Sequence, residues 1–494
     1  MAGSPFLRRQ SSSWLKVAAW VGFGSALFIV RWYLNPDDDG FTLTAAWQVS
    51  NGLLPYRDFF EFHPPGAFYL FGGLFRAVGP SYEAARLLLF AVSLPGAYAF
   101  NRLSALFAER SWQRAAVLAS WLMLVWQFSA ISYHAVAHLA SVGAILALVL
   151  AWRHHAGTPA PLPRQIVRDF ALAGLTAGAT GMVLQTAGVL ISLAGVVTAV
   201  ATRQVRALAA YAIGAGVMLL PLIFWPPAML WRQLVAIPLA RYPGANLSYD
   251  HPTWLIGAMV VTAAIGVLAW FLRVRSAGFW PLWLVALILP LSVWPHSSVG
   301  YLASVVWPLP LLLLAVNPSG WRRPLSFPLR HWLIAAWQAA LGIWGTAMLA
   351  LAVLSVGAFA FRFPYHDPLA LRVPFWEDLA ALVRQRTAPG EPIFALPHLT
   401  ALYFYAQRPN ATRHNSLQTE FHPAEFQNEI IADLERSQPR LVVREAGGRL
   451  ARIGQYREGN IVDRYLDARY RLVDELQQFA PRRIQLWERR PSSL

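Results

Sequence analysis

Long apolar stretches recur through the first 360 residues, and they constrain the fold more than any other feature of this sequence. The hydrocarbon core of a bilayer is about 30 Å thick, so a helix needs roughly 20 apolar residues to cross it. A search at that length predicts spans near residues 14–34, 84–106, 112–131, 135–152, 207–227, 254–272, 279–295, 300–316 and 332–359. These spans predict an α-helical polytopic membrane protein.

The overall composition favours the same fold class. Of the 494 residues, 56% are hydrophobic and 13% are charged, whereas soluble domains carry about 25% charged residues. The net charge of +16 would indicate a nucleic-acid partner only if the basic residues formed a patch on a soluble face. Short segments that flank the apolar stretches account for +14 of this charge, so nucleic acid is excluded as a partner. The chain has no cysteine, which excludes disulfides and thiolate chemistry.

One apolar stretch, 170–201, is too long for a single ordinary span and is interrupted by five glycines. Interrupted helices are tolerated in a membrane where they line protein or a cavity. We therefore predict two helices, 168–182 and 185–201, that enter the membrane and return. The alternative is one long tilted helix. With two helices here, the chain has about eleven crossings.

The charged residues assign the loops to two sides of the membrane. Six segments hold 16 basic residues and only two acids: 1–16, 101–114, 152–169, 202–206, 273–275 and 317–331. The loop 35–83 holds six acids and two arginines. Because cytoplasmic loops are enriched in basic residues, the N-terminus is predicted to be cytoplasmic and the C-terminal region to lie outside.

The composition changes near residue 362, which predicts a membrane domain at 1–361 and an extracytoplasmic α/β domain at 362–494. The second part holds 16 acids and 19 arginines, as a soluble domain does. Its periodicity predicts helices at 374–388, 423–437 and 460–468, and strands at 392–396, 440–444, 470–476 and 483–488. This domain is expected either to bind the acceptor or simply to cap the membrane part.

The outer loop 35–83 carries the residues best suited to chemistry. Asp37, Asp38 and Asp39 are adjacent at a membrane boundary, where mutual repulsion and apolar surroundings oppose the ionisation of all three. The pattern of 40–52 predicts an amphipathic helix in the plane of the membrane interface, with the carboxylates near its positive end.

A second acidic cluster follows at Asp58 and Glu61, then His63, two prolines and an amphipathic stretch at 67–78. The two clusters are expected to converge over the mouth of the helix bundle. Such a pair suits general-base catalysis on an acceptor hydroxyl or amine. The alternative is a solvated acidic loop whose aspartates cap a helix.

Two motifs of this loop resemble those of the bacterial GT-C glycosyltransferases, specifically the family 39 group with the protein O-mannosyltransferases and the lipid A aminoarabinose transferases. They are Asp-Asp-Gly at 38–40 and the segment 56–65, which reads YRDFFEFHPP. The family has an acidic dipeptide at the first place and an acid before Lys-Pro-Pro at the second. The span pattern and the α/β tail also match, so the resemblance covers nearly the whole chain.

The resemblance implies a role for each acid. Asp38 matches the catalytic base and Asp39 its neighbour, while the presence of Asp37 leaves the register open by one residue. Glu61 matches an acceptor- or metal-associated position. His63 stands where the family often has Lys; a histidine still donates to a phosphate or an acceptor, but it is only partly charged near neutral pH.

Other polar residues are further candidates. His134 and His138 share a helix face near the outer end of the fourth span, which suits an acceptor or metal pair or, alternatively, a hydrogen-bonded interfacial pair. Arg241 and Tyr242 lie in an outer loop where basic residues run against the charge trend. A guanidinium fork fits a phosphate, so they are candidates for the donor phosphate; the alternative is a contact with lipid headgroups.

Gln185 at the interrupted helix and His296 in the turn 295–299 stand where the resembling family has polar residues. They complete the donor-phosphate candidates. The alternative for each is an interfacial side chain with satisfied hydrogen bonds.

The resemblance implies an inverting glycosyltransferase of the bacterial inner membrane, with its active site on the periplasmic side of the bilayer. It would move a sugar from a polyprenyl-phosphate carrier to an envelope lipid, glycan or protein. No Gly-rich phosphate loop for a nucleotide sugar is present. No cofactor is certain, and a divalent metal ion is an alternative to arginine for stabilising the departing phosphate. The alternative functions are a secondary transporter and a non-catalytic scaffold. Transporters usually show internal repeats and charges near the membrane midplane, and neither is found here.

Overall fold

The computed structural model describes most of the chain from residue 36 onward. The described ranges are 36–126, 130–156, 163–241, 252–274, 278–294, 304–316, 325–362, 374–448, 455–479 and 482–491, with 276 and 451. The predicted first span, 14–34, lies outside these residues. Side chains are not described at 36–38, 112, 119, 122–126, 163, 252, 348–349, 351–362, 374 and 478.

Helices form the larger part of the described chain. In the region before residue 363 they are α1 Pro36–Ser50, α2 Gly66–Val78, α3 Tyr82–Ser104, α4 Ser111–Trp126, α5 Tyr133–Ala156, α6 Pro163–Val183, α7 Gln185–Ala201, α8 Val205–Leu219, α9 Pro227–Trp231, α10 Ile237–Arg241, α11 Pro252–Phe271, α12 Phe279–Ile288, α13 Leu309–Ala315 and α14 Phe327–Arg362. A π-helical turn, Arg232–Ala236, joins α9 to α10.

Among the described residues, five helices are long and apolar enough to cross a membrane. They are Tyr82–Ser104, Tyr133–Ala156, Arg164–Val183, Val205–Phe224 and Thr253–Phe271. Shorter apolar helices accompany them, including Gln185–Ala201. These helices support a membrane location and the predicted polytopic fold class, while the total of eleven crossings stays a prediction.

The interrupted stretch forms two helices, as predicted. Leu184 has an extended backbone (φ −144°, ψ 108°) and separates α6 from α7. The two helices approach so closely that a Cβ on Gly188 would collide with the backbone of Gly181. The alternative of one long tilted helix is therefore wrong, because the chain turns back at Leu184. The first helix is longer than predicted and begins at Pro163.

The predicted span 300–316 is wrong in its described part. Residues 304–308 form turns, and the helix begins only at Leu309. Prolines at 308 and 310 explain this, since proline is compatible with the first turn of a helix but not with its interior.

The C-terminal region forms the predicted α/β unit. Its helices are α15 Pro374–Arg386, α16 Ala401–Ala406, α17 Ala424–Ser437 and α18 Ile461–Arg469, and its strands are β1 Ile393–Leu396, β2 Leu441–Ala446, β3 Tyr470–Leu476 and β4 Arg483–Arg489. The sheet order is β1-β2-β4-β3, and only the β1–β2 pair is parallel. The predicted strands and the three predicted helices are confirmed to within two residues at each end. The short α16 was not predicted.

The helix α1 does not lie freely in the membrane interface. Its residues Leu43, Ala45 and Ala46 are fully buried, and so are Thr42 and Thr44 on its other sides. The C-terminal unit covers it: a Cβ on Gly40 would lie 2.7 Å from the backbone nitrogen of Ala401. The prediction of an interfacial amphipathic helix from 40–52 is therefore wrong, because a distant part of the chain covers the second face. The helix is already present at Pro36, so the aspartates form its first turn.

Candidate active site

Asp39 joins three separate elements. Its Oδ2 accepts hydrogen bonds from Arg86 Nη2 (3.1 Å) and from the Tyr82 hydroxyl (3.0 Å), both on α3. Its Oδ1 accepts from the backbone N–H of Ile131 (2.6 Å), in the turn before α5. Both side chains of the Asp39–Arg86 ion pair are 2% exposed. Because these donors hold a carboxylate that is almost fully buried, Asp39 anchors the start of α1.

The side chains of Asp37 and Asp38 lie outside the described residues, although their backbone belongs to α1. The choice between Asp37 and Asp38 as the catalytic base therefore stays a prediction from the sequence.

Glu61 holds the neighbouring imidazole. Its Oε1 accepts from the backbone N–H groups of Phe62 (2.9 Å) and His63 (3.2 Å), and it lies 2.7 Å from His63 Nδ1. The His63 ring stacks on Tyr133, with the ring centroids 3.8 Å apart. A carboxylate on Nδ1 orients the ring, leaves the other nitrogen, Nε2, for a ligand, and is complementary in charge to an imidazolium. The Glu61–His63 pair thus presents one oriented ring nitrogen to a ligand.

The backbone around this pair is also fixed. Tyr56 has a left-handed backbone (φ 70°), and its hydroxyl donates to the carbonyl of His63 (2.7 Å). Burial, and then the charge of Glu61, raise the pKa of Tyr56, so its hydroxyl stays a donor. Gln233 of the π-helical turn donates to the Tyr56 carbonyl (3.0 Å) and accepts from the Glu61 N–H (3.4 Å).

Gln185 connects the interrupted helix to this loop. Its Nε2 donates to the carbonyls of Phe62 (3.0 Å) and Leu234 (3.3 Å). Its Oε1 is buried and has no hydrogen-bond partner among the described residues. A buried acceptor without a donor costs free energy, so this oxygen is available to a hydroxyl of a ligand. The structure brings Gln185 together with the segment that holds Glu61 and His63.

The proposed histidine pair does not fit a metal site. His138 is buried, and both ring nitrogens are used: Nδ1 lies 2.8 Å from the Ser304 carbonyl, and Nε2 accepts from Trp121 Nε1 at 3.1 Å. No lone pair is left for a cation. His134 is half-buried and packs against Tyr133. Within the described ranges, no three His, Asp or Glu residues meet as a metal site.

The remaining candidates lie away from this pair or outside the described residues. Arg241 ends α10, is exposed, and lines a cleft against the C-terminal unit. Tyr242 and His296 lie outside the described residues.

The C-terminal unit contacts both α1 and the segment 56–60. Gln48 of α1 and Asn415 exchange two amide hydrogen bonds of 3.0 Å, and both side chains are buried. Arg413 donates to the Tyr56 carbonyl (2.8 Å), and its own carbonyl accepts from the Phe60 N–H (2.8 Å).

Comparisons with known proteins concern the fold that carries these residues. No protein-family profile matches the chain, and no curated protein matches it in sequence. The crystal structure of ArnT from Cupriavidus metallidurans bound to undecaprenyl phosphate is similar, with a TM-score of 0.55 and 14% identity over 95% of this chain and 98% of that one. The apo structure of ArnT has a TM-score of 0.53 and 16% identity over 97% and 98% of the two chains. The fold is therefore of the GT-C type. At this identity the likeness shows the fold alone, and it confirms the predicted fold class.

Several residues of the site were not predicted from the sequence. Arg86 is the one that the sequence could have revealed. A charged residue near the end of an apolar span is itself a signal that it has a partner. Tyr133 and Gln233 gave no such signal. Aromatic and amide residues are common in such positions, and their role depends on contacts with a loop that is far away in sequence.

Proposed function

We propose that this protein is a membrane glycosyltransferase that transfers a sugar from a polyprenyl-phosphate donor to an acceptor of the cell envelope. The observation that carries the proposal is the meeting of the Glu61–His63 pair with the α6–α7 break beneath the C-terminal unit, in a fold similar to that of ArnT. One ArnT structure holds undecaprenyl phosphate, which supports a lipid phosphate as the carrier here.

In the proposed reaction, Asp38 is the general base. It removes the proton from an acceptor hydroxyl or amine while that atom attacks the anomeric carbon, and the bond from carbon to the donor phosphate breaks with inversion. Asp38 suits this role better than Asp39, because the carboxylate of Asp39 is committed to Arg86 and two other donors. A base must keep a lone pair for the incoming proton.

The departing phosphate is stabilised by a cation and a hydrogen-bond donor held in place before the reaction. His63, oriented by Glu61, supplies the Nε2–H in its imidazolium form. The unpaired oxygen of Gln185 accepts a hydroxyl of the bound sugar. A lipid phosphate is a good leaving group, so the mechanism needs one carboxylate and no strong general acid. The site would lie on the periplasmic face of the bacterial inner membrane.

The test is the variant Asp38→Asn, assayed in membranes with labelled polyprenyl-phosphate sugars and envelope acceptors. Loss of a general base lowers the rate by about 10²–10⁴-fold. Asp37→Asn is the matched control, since it removes the same charge from the adjacent position and is expected to keep most of the activity.

Full transfer by Asp38→Asn would overturn the assignment of the base. A loss confined to Asp37→Asn would move the base by one residue. Absence of transfer by the wild type with every donor would favour a transporter or a non-catalytic scaffold.

A further inference from the structure

A cleft of about 680 Å³ lies where the end of α10 faces the C-terminal unit. Its wall includes Arg241 from the membrane part, and Arg457 and Arg464 from the C-terminal unit. No residue of the 56–66 segment or of the α6–α7 break lines it. The cleft is therefore separate from the Glu61–His63 pair.

The three guanidinium groups are largely uncommitted. Arg457 is 79% exposed and lies 3.8 Å from Glu420, beyond hydrogen-bond distance. Within the described ranges, the Arg464 guanidinium makes one hydrogen bond, to the carbonyl of Gly459. The Arg241 side chain has no hydrogen bond or ion pair to any other residue in the described part of the chain.

Two glutamates in the described wall offset part of the charge of the three arginines. Glu458 accepts a hydrogen bond from the Gly447 N–H (2.7 Å). Glu420 lies 3.8 Å from Arg457. The first turn of α17, at Pro423 and Ala424, also borders the cleft and has no side-chain cap, so its N–H groups add partial positive charge.

We propose that this cleft binds a phosphoryl group. Guanidinium groups bind phosphate through paired hydrogen bonds, and three arginines against two glutamates leave a wall with net positive charge, which suits an anionic phosphoryl group. The site lies beyond the proposed transfer reaction, because it uses Arg241 together with the C-terminal unit rather than with the donor site. The phosphoryl group comes either from a soluble phosphate ester or from the headgroup of a lipid.

The experiment measures binding by the full-length chain in neutral detergent, with inorganic pyrophosphate as the probe. The double variant Arg457→Gln/Arg464→Gln is compared with Arg436→Gln/Arg471→Gln, which removes two exposed arginines of the same unit that lie outside the cleft wall. The cleft variant is expected to bind at least about tenfold more weakly, as for lost charge-assisted hydrogen bonds. The control is expected to stay within about twofold of wild type, because surface ion pairs contribute little.

A second arm separates the two sources of the phosphoryl group. The chain is placed in nanodiscs of phosphatidylcholine with or without phosphatidic acid, and pyrophosphate binding is repeated. Competition by phosphatidic acid supports a headgroup ligand, and unchanged binding supports a soluble one. Equal binding by the cleft variant and wild type, or no binding of either probe by wild type, would overturn the proposal. Because binding is read without turnover, a failure of the transferase proposal would leave this result intact.

Discussion

Two carboxylates of the same outer loop, Asp39 and Glu61, are both buried but are held in opposite ways. The donors to Asp39 lie 43, 47 and 92 positions further along the chain. The donors to Glu61 Oε1 lie within two positions of it. The first carboxylate therefore holds distant elements together, whereas the second orients one neighbouring imidazole. Under the proposed function, the first residue maintains the fold and the second serves the reaction.

The largest expected effect follows from replacing Asp39, and it tests whether this carboxylate holds distant elements together. Asp39→Ala leaves the buried Arg86 guanidinium without its carboxylate, and breaking a buried ion pair costs about 3–5 kcal/mol of stability. Thermal unfolding of the purified chain in detergent is expected to show a large fall in Tm.

The control is the double replacement Asp39→Leu with Arg86→Met, which removes both charges. It is expected to lose less stability than Asp39→Ala, because no unpaired charge remains. If the double variant is no more stable than the single one, Asp39 is not an electrostatic anchor.

An intermediate effect is expected from replacing Glu61, which tests whether this carboxylate acts on His63. Glu61→Gln removes the negative charge beside His63, and losing a charge-assisted hydrogen bond of this kind is expected to lower transfer by about 10–100-fold. The Tm is expected to change little, since the donors are local. Asp58→Asn in the same loop is the matched control, because Asp58 pairs with the exposed Arg57.

A cation that needs no neighbour should restore the activity. The double variant Glu61→Gln/His63→Lys is expected to regain most of the transfer lost by Glu61→Gln. No recovery, together with a wild-type Tm, would show that Glu61 acts on something other than the charge of His63.

The smallest expected effect is on the pH dependence of stability, and it concerns the aromatic contacts of Phe60, next to Glu61 in sequence. Phe60 stacks on His414 and lies near His422. Burial, and then the proximity of His414, lower the pKa of His422 to about 3. Contacts with His414, against a smaller opposing effect of burial, lower the pKa of Glu429 to about 2. An unfolded chain titrates these groups near 6.5 and 4.5.

Between pH 6.5 and 3 the unfolded chain therefore binds more protons at His422 than the folded chain does, so this group lowers stability as the pH falls. Glu429 acts in the same direction below pH 4.5. Tm measured from about pH 7 to about pH 4 is expected to fall less steeply in His422→Phe than in wild type. An unchanged slope would show that His422 is not the acid-sensitive group.

The secondary structure of the C-terminal unit could be predicted because it follows from the local periodicity of apolar residues. Strands such as β2 and β4 have short apolar runs, and α17 has a clear helical period. The α6–α7 break was also predictable, since glycines mark it. These features depend on a few adjacent residues, and no distant partner changes them.

The environment of the candidate site could be predicted only in part. The acids of the outer loop stood out because charge is scarce in this chain. That Asp39 is paired depends on Arg86, and that α1 is covered depends on Ala401, which is about 360 residues away. His138 gave the pattern of a metal ligand, yet Trp121 and the Ser304 carbonyl occupy both of its ring nitrogens. Apart from the charge of Arg86 near the end of an apolar span, such pairings leave no local trace, because they follow from the tertiary fold.

The contacts between α1 and the C-terminal unit also set an order of events during synthesis. Thr44 donates to the carbonyl of Thr400, and Gln48 pairs with Asn415, across sequence separations of 356 and 367 residues. Contacts of such high sequence separation form late, because the chain between them must first be made and ordered. Thr44 and Gln48 emerge early but acquire these partners only when the last quarter of the chain has been translated and folded. A chain truncated before residue 400 would therefore insert its helices and yet leave Thr44 and Gln48 exposed to water.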